Sequence, residues 1–201
     1  MDIRINDIEL KLETEEGLFS PHHADEGTLA MLFETGEIKG NVLDLGCGYG
    51  IVGIYLKLKD PGIDVMFTDV DGRAVMFTEN NLALNGITGC EVRKSDGFSE
   101  IPQETRFDCI LSNPPYHTDF SVAKNFIEGS YRHLVTGGTL YMVTKRLDWY
   151  RNKLTSVFGG VMVRERDGYY IFIAEKRIRK KTESRKNTGL SKKLERKYGK
   201  R

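Results

Sequence analysis

The stretch "NVLDLGCGYGIVGIYLKLK", residues 41–59, constrains the fold more than any other. An apolar run ends at Leu45, the turn residues Gly46, Gly48 and Gly50 follow, and Ile51, Ile54, Tyr55 and Leu58 then recur at helical spacing. A strand that turns through glycines straight into a helix is the first half of a crossover unit, so parallel strands with helices packed on them are expected. The chain repeats the alternation. "IDVMFTDV" reads as a strand and "RAVMFTENNLALNG" as a helix closed by Asn85-Gly86. "CEVRKSD" and "FDCILSN" read as strands, "FSVAKNFIEGSYRHLV" as a helix stopping at Gly137-Gly138, and "TLYMVT" as a strand. After a helix at "RLDWYRNKLTSVFG", "GVMVRER" and "YYIFIAEK" form an antiparallel pair around Asp167-Gly168. The expected class is α/β, a doubly wound, mostly parallel sheet with helices on both faces and an antiparallel closing hairpin.

Ligands of such sheets bind beyond the carboxyl ends of the strands. That rule brings Gly46 to Gly50, Asp69, Asp96 and Asn113 to Tyr116 to one rim. "GYGIVG", residues 48–53, matches a dinucleotide pattern, but the first turn glycine is Gly46, and Ile51 stands where that loop needs its third glycine. Asp44 at the strand's end suits a cationic or amine-bearing ligand better than a pyrophosphate. Asp69 can accept from ribose hydroxyls and Asp96 from an adenine amino group. Either alone also reads as a cap or loop carboxylate, and Asp71 reads as the cap of the helix at Arg73.

"SNPPYH", residues 112–117, follows the strand "FDCIL". Each proline fixes its own φ and pushes the preceding residue out of the helical region, so Asn113 and Pro114 are both restrained. Two donors are missing while the acceptors remain. The Asn113 amide oxygen and the Pro114 carbonyl can therefore form a fixed pair that recognises an NH2 group, with Tyr116 stacking on the planar target. His117 reads as a loop residue.

From about Asn41 to Lys176 the order and spacing of these motifs resemble the class I S-adenosylmethionine-dependent methyltransferases, with "DLGCGYG" as first motif and "SNPPYH" as fourth. The resemblance implies a Rossmann-like sheet of seven strands and S-adenosyl-L-methionine as cofactor. It implies cofactor contacts at Asp44, Gly46, Gly48 and Gly50, then Asp69, then Asp96 with Gly97. Asn113 belongs to both the cofactor and the catalytic sets, the latter with Pro114 and Tyr116; Asp71 is an alternative ribose ligand. A second signature, "GLFSPHHADEGTLAMLFE" at residues 17–34, is similar to the leading segment of the small methyltransferase-domain family, which includes bacterial 16S ribosomal RNA guanine-N2 methyltransferases. Its marks are Phe19-Ser20 and Asp25-Glu26-Gly27-Thr28, and the likeness implies a segment folded over the cofactor cleft. By chemistry alone it is a helix start capped by Asp25 or Thr28. The organisation expected is a methyltransferase domain at 1–175, with a leading segment at 1–40 and a Rossmann-like core at 41–175, then a basic tail at 176–201. The expected reaction is methylation of an exocyclic amine, guanine N2 of 16S rRNA. Adenine N6 of transfer RNA, protein glutamine N5, and a non-catalytic RNA-binding assembly factor are the alternatives.

The formal net charge of +1 conceals an asymmetry, because residues 176–201 hold 13 Lys or Arg against two Asp or Glu, leaving 17 against 27 in the body. A segment so charged reads as a solvated arm for a polyanion, RNA in particular, or as a solubilising tail. The three cysteines lack CxxC pairing and His22-His23 has no third ligand in view, so neither a disulfide framework nor a metal site is expected. With no signal-peptide apolar region at the start and no apolar run long enough to span a bilayer, a cytoplasmic location without membrane contact is expected.

Overall fold

The computed structural model describes residues 1–115 and 120–178. Tyr116, His117 and the tail from Arg179 onward lie outside the described residues. The chain opens on a two-stranded hairpin, β1 (Asp2–Ile5) and β2 (Ile8–Lys11), and on α1 (Glu26–Glu34). The alternation then runs β3 (Asn41–Leu45), α2 (Ile51–Lys59), β4 (Asp64–Asp69), α3 (Gly72–Leu84), β5 (Glu91–Lys94) and β6 (Phe107–Ser112). It continues through α4 (Phe120–His133), β7 (Leu134–Thr144), α5 (Asp148–Phe158), β8 (Met162–Arg166) and β9 (Tyr169–Glu175).

Seven strands form one sheet in the order β5-β4-β3-β6-β7-β9-β8. The first five are mutually parallel and β9 is antiparallel to both β7 and β8. The chain winds outward from β3 to β5 and then returns to β6 on the other side of β3. A cleft opens at such a reversal, beyond the carboxyl ends of the strands. Both faces are covered. On one, Met31 of α1, Ile54 and Tyr55 of α2, Leu82 of α3 and Leu10 of the hairpin build a core. On the other, Phe126 and Ile127 of α4 and Leu154 and Phe158 of α5 build a second. Alternation along β3 sends Val42 to the first core and Leu43 and Leu45 to the second, so Asp44 faces α2.

One boundary differs from the sequence reading. The fourth helix ends at His133, and β7 starts at Leu134 and runs through Gly137 and Gly138. Leu134 is fully buried and pairs with Phe107, and the β6–β7 register slips between Phe107 and Cys109. Gly137 takes up a φ of 87° and donates its N–H to the Lys176 carbonyl, while the Gly138 carbonyl accepts from Lys176. The glycine pair thus makes a bulge inside a strand that the sequence presents as a helix stop.

Candidate functional site

A cavity of about 370 Å³ lies at the reversal, beyond the ends of β3, β4, β5 and β6. Asp44, Gly46, Gly48, Asp69, Asp96, Gly97 and Asn113 all line it. Gly50 and Pro114, which the sequence reading grouped with them, are buried and do not. Gly50 instead enters α2 in the left-handed region, at φ 88°. The neighbouring Pro115 supplies the wall beyond Asn113.

The glycine loop is fixed from three sides. Gly46 and Gly48 have φ of 72° and 57°, a region open to glycine at little cost. The Gly46 and Cys47 N–H groups both donate to the Thr68 carbonyl of β4, at 2.8 and 2.9 Å. From α3, Thr78 Oγ1 donates to the Gly48 carbonyl at 2.9 Å and Asn81 Nδ2 to the Tyr49 carbonyl at 2.8 Å. From α4, the Phe126 ring lies where a Cβ on either Gly46 or Gly97 would meet it at 3.4 Å.

The acids differ in what they leave available. Asp44 is almost wholly buried, its Oδ2 accepting from the Gly53 N–H at 2.9 Å, and burial pushes its carboxyl up to about 7, with the charge of Asp69 adding to the rise. Asp69 accepts from the Gly48 N–H through Oδ2 and from the Asp71 N–H through Oδ1, both at 2.9 Å, and burial raises it as well. A carboxylate has about four lone-pair sites, so Asp69 retains room for a hydroxyl donor. Asp96 is exposed at the end of β5. Asp71 caps α3, accepting from the Arg73 N–H at 2.9 Å and from its guanidinium, which lowers its carboxyl; its ordinary structural role is thereby filled. A buried acid and a half-buried one, both held by backbone amides, favour a cationic, hydroxyl-bearing ligand.

Asn113 is held by the leading segment. Asp25 caps α1 by accepting from the Thr28 N–H at 2.8 Å, and the same Oδ1 accepts from Asn113 Nδ2 at 2.7 Å. Thr28 Oγ1 accepts from Nδ2 at 2.9 Å. The Asp25 carboxylate can only accept, which fixes the orientation of the amide. Its Oδ1 is buried and has no partner among the described residues. Gly27 is required for this approach: a Cβ there would come within 2.6 Å of the Tyr169 ring on β9.

The leading segment was expected over the cleft, and Gly17, Leu18, Phe19, Asp25 and Thr28 line the cavity. Phe126 and the bracing pair Thr78 and Asn81 were missed. The only sequence signal for the latter was polar residues recurring at helical spacing where an apolar face was due. His22 and His23 are exposed, and among the described residues no group of His, Cys, Asp or Glu is arranged to hold a metal. None of the described helices is long and apolar enough to cross a membrane.

Comparison with known proteins agrees with this geometry. Ribosomal RNA small subunit methyltransferase C of Mannheimia succiniciproducens is 38% identical over 157 residues, covering 76% of this chain and 46% of that protein. The chain spans about half the length of such relatives. The uncharacterized protein YbxB of Bacillus subtilis is 32% identical over 179 residues, 86% of this chain and 89% of its own. Among solved structures, the T. thermophilus 16S rRNA N2 G1207 methyltransferase (RsmC), in complex with AdoMet and guanosine, superposes with a TM-score of 0.81 at 29% identity, over 88% of this chain and 50% of that one. A methyltransferase from Pyrococcus furiosus shares the fold, with a TM-score of 0.64 at 21% identity. Residues 9–173 match the methyltransferase small domain, and the chain belongs to that family.

Proposed function

We propose that the protein transfers a methyl group from S-adenosyl-L-methionine to an exocyclic amine, guanine N2 of 16S rRNA. The observation that carries the reading is the Asn113 amide, whose NH2 end is tied to Asp25 and Thr28 and whose buried Oδ1 has no partner among the described residues. A buried carbonyl oxygen without a donor costs about 1–3 kcal/mol, a cost that a substrate N–H would remove.

The cavity's donor set fits the cofactor: Asp44 suits its ammonium, Asp69 its ribose hydroxyls and Asp96 its adenine amino group. Bound there, it supplies an electrophilic methyl on sulfur. The protein's part is placement and charge. Asn113 Oδ1 takes a hydrogen of the target amine and aims its nitrogen. As that nitrogen becomes positive, this hydrogen bond strengthens, which lowers the barrier without a strong base. Tyr116 is assigned the stacking of the base. The guanine assignment is supported by the rRNA methyltransferase relatives and by the guanosine in the RsmC complex.

Incubating 16S rRNA with protein and cofactor, followed by nucleoside mass spectrometry, should yield N2-methylguanosine. Asn113→Ala should lower the rate by about a hundredfold or more, the scale expected for loss of one transition-state acceptor or donor, with cofactor affinity retained. N6-methyladenosine as product would move the target to adenine. Undiminished turnover in the variant would remove Asn113 from the mechanism.

A further inference from the structure

Beyond Asn113 the same rim carries a row of cations and aromatic rings that the methyl-transfer site does not use. Ser112 of β6 lies opposite Met142 of β7, and Thr144 of β7 lies opposite Tyr170 of β9. Continuing that register, Lys145 stands one strand over from Pro115, and Arg146 lies one residue beyond it. Tyr169 begins the next strand, and Arg166, its partner in the ladder, ends the last. With strands about 4.8 Å apart, the row runs roughly 15 Å from Asn113 to the sheet edge.

The side chains form cation–aromatic pairs on both flanks of this row. Arg166 lies 3.6 Å over the ring of Phe33, which projects from α1 and is 60% exposed. Lys145 Nζ lies 4.6 Å over Tyr169, and Arg146 lies 5.0 Å over Phe120, itself stacked on Trp149 at 4.2 Å. Lys145, Arg146 and Arg164 are exposed. Glu34 is the acid facing the outer pair, 4.0 Å from Arg164 and 3.6 Å from Arg166. One carboxylate cannot neutralise two guanidinium groups or occupy their donors, and pairs of this kind are worth at most about 1 kcal/mol. Glu165 alternates to the other face of β8, and Asp167 occupies the turn.

Residues 1–175 carry more acids than bases, 27 against 17, so four cations gathered beside the site run against the trend of the surface. A polyanion is the complement of that cluster. Phe33 narrows the choice, since a planar guanidinium on an exposed ring is a platform for unstacked bases.

We infer that Lys145, Arg146, Arg164 and Arg166, with Phe33, form the docking surface for the single-stranded RNA flanking the target nucleotide, phosphates meeting the cations and a neighbouring base stacking at Phe33 and Arg166. The inference rests on the RNA reading of the site above and adds where the strand runs, from Asn113 across β7 and β9 to the edge strand β8.

The test uses the full chain, a short single-stranded 16S rRNA fragment and anisotropy titrations over a range of KCl concentrations. The double variant Arg146→Glu, Arg166→Glu should bind the fragment at least about tenfold more weakly, with the log–log salt slope reduced by about 1.4, two single-strand phosphate contacts. It should remain folded by circular dichroism, and its affinity for S-adenosylmethionine should match that of the wild type. Arg166→Lys should keep the salt slope and still lose affinity, because it keeps the charge without the planar stack. If the wild type methylates the RNA while the double variant binds it with unchanged affinity and slope, the surface is wrong and the methylation reading survives. If the wild type methylates no RNA, both fall.

Discussion

Among the acids of the cavity, Asp44 is the one whose protonation the fold shifts furthest. Burial raises its carboxyl from 3.8 to about 7 against the opposing pull of the Gly53 N–H. Between those values the folded protein holds a proton that the unfolded chain has lost, so this group makes stability fall as pH rises through the window and level off above it. The full effect is on the order of 4 kcal/mol. Asp44→Asn cannot titrate. In urea melts taken from about pH 5 to about pH 8, the variant should gain on the wild type as pH rises, and a gap independent of pH would contradict the buried acid. A cation bound beside Asp44 favours its charged form, so affinity for such a ligand should rise over the same range. At this scale the sequence was readable: acids at three strand ends stood out because parallel strands leave little freedom over where their last residues point. That Gly50 and Pro114 are buried outside the cavity lining was not readable, because a motif names positions without saying which ones face inward.

At the scale of elements, α3 braces the glycine loop and the leading segment together. Asn81 Oδ1 accepts from the Glu13 N–H at 2.6 Å while Nδ2 donates to the carbonyls of Glu13 and Tyr49, at 2.9 and 2.8 Å. One turn later Asn85 repeats the reciprocal pair with Lys11, at 3.0 and 2.7 Å. Residues four apart on a helix are separated by about the same distance as residues two apart on an extended chain, which is why the two asparagines read Lys11 and Glu13 in register. Asn81 is fully buried, so Asn81→Ala leaves three backbone groups short of a partner and should cost about 2–4 kcal/mol. Cofactor affinity should drop with it, since the Tyr49 carbonyl is released. Asn85→Ala should cost less and leave cofactor affinity alone, because Asn85 makes no contact with the loop. Thermal melts paired with cofactor calorimetry separate the two, and equal affinity losses would deny the brace. "ENNLALNG" advertised this only faintly, through poor helix formers inside a helix. The Gly137-Gly138 bulge was misread for a related reason: whether a glycine pair ends a helix or bends a strand is decided by Phe107 and Lys176, distant in sequence.

The whole molecule sets a charge problem that neither residues nor elements show. The fold was legible because the alternation of strand and helix leaves few topologies, and the reversal between β3 and β6 follows from right-handed crossovers. Yet the body that this fold presents is acidic, and any polyanion approaching it meets repulsion except along the rim beside Asn113. The residues from Arg179 onward have no described structure to argue from, and their case is compositional: positions 180–201 contain ten Lys or Arg and two Glu. Screening separates the two contributions. A charged arm acts over roughly a Debye length, about 10 Å at 0.1 M salt, so its attraction fades early as salt is added. Contacts on the rim are geometric and include stacking, which salt weakens little. Deleting residues 180–201 should therefore slow association with RNA most at low salt and flatten the salt dependence of affinity, while the preference for the proposed target site persists. Stopped-flow association rates and equilibrium titrations for the two chains give the answer together. Equal salt slopes with and without the segment would leave it a solubilising tail, and a loss of site preference on deletion would shift recognition of the target from the rim to the tail.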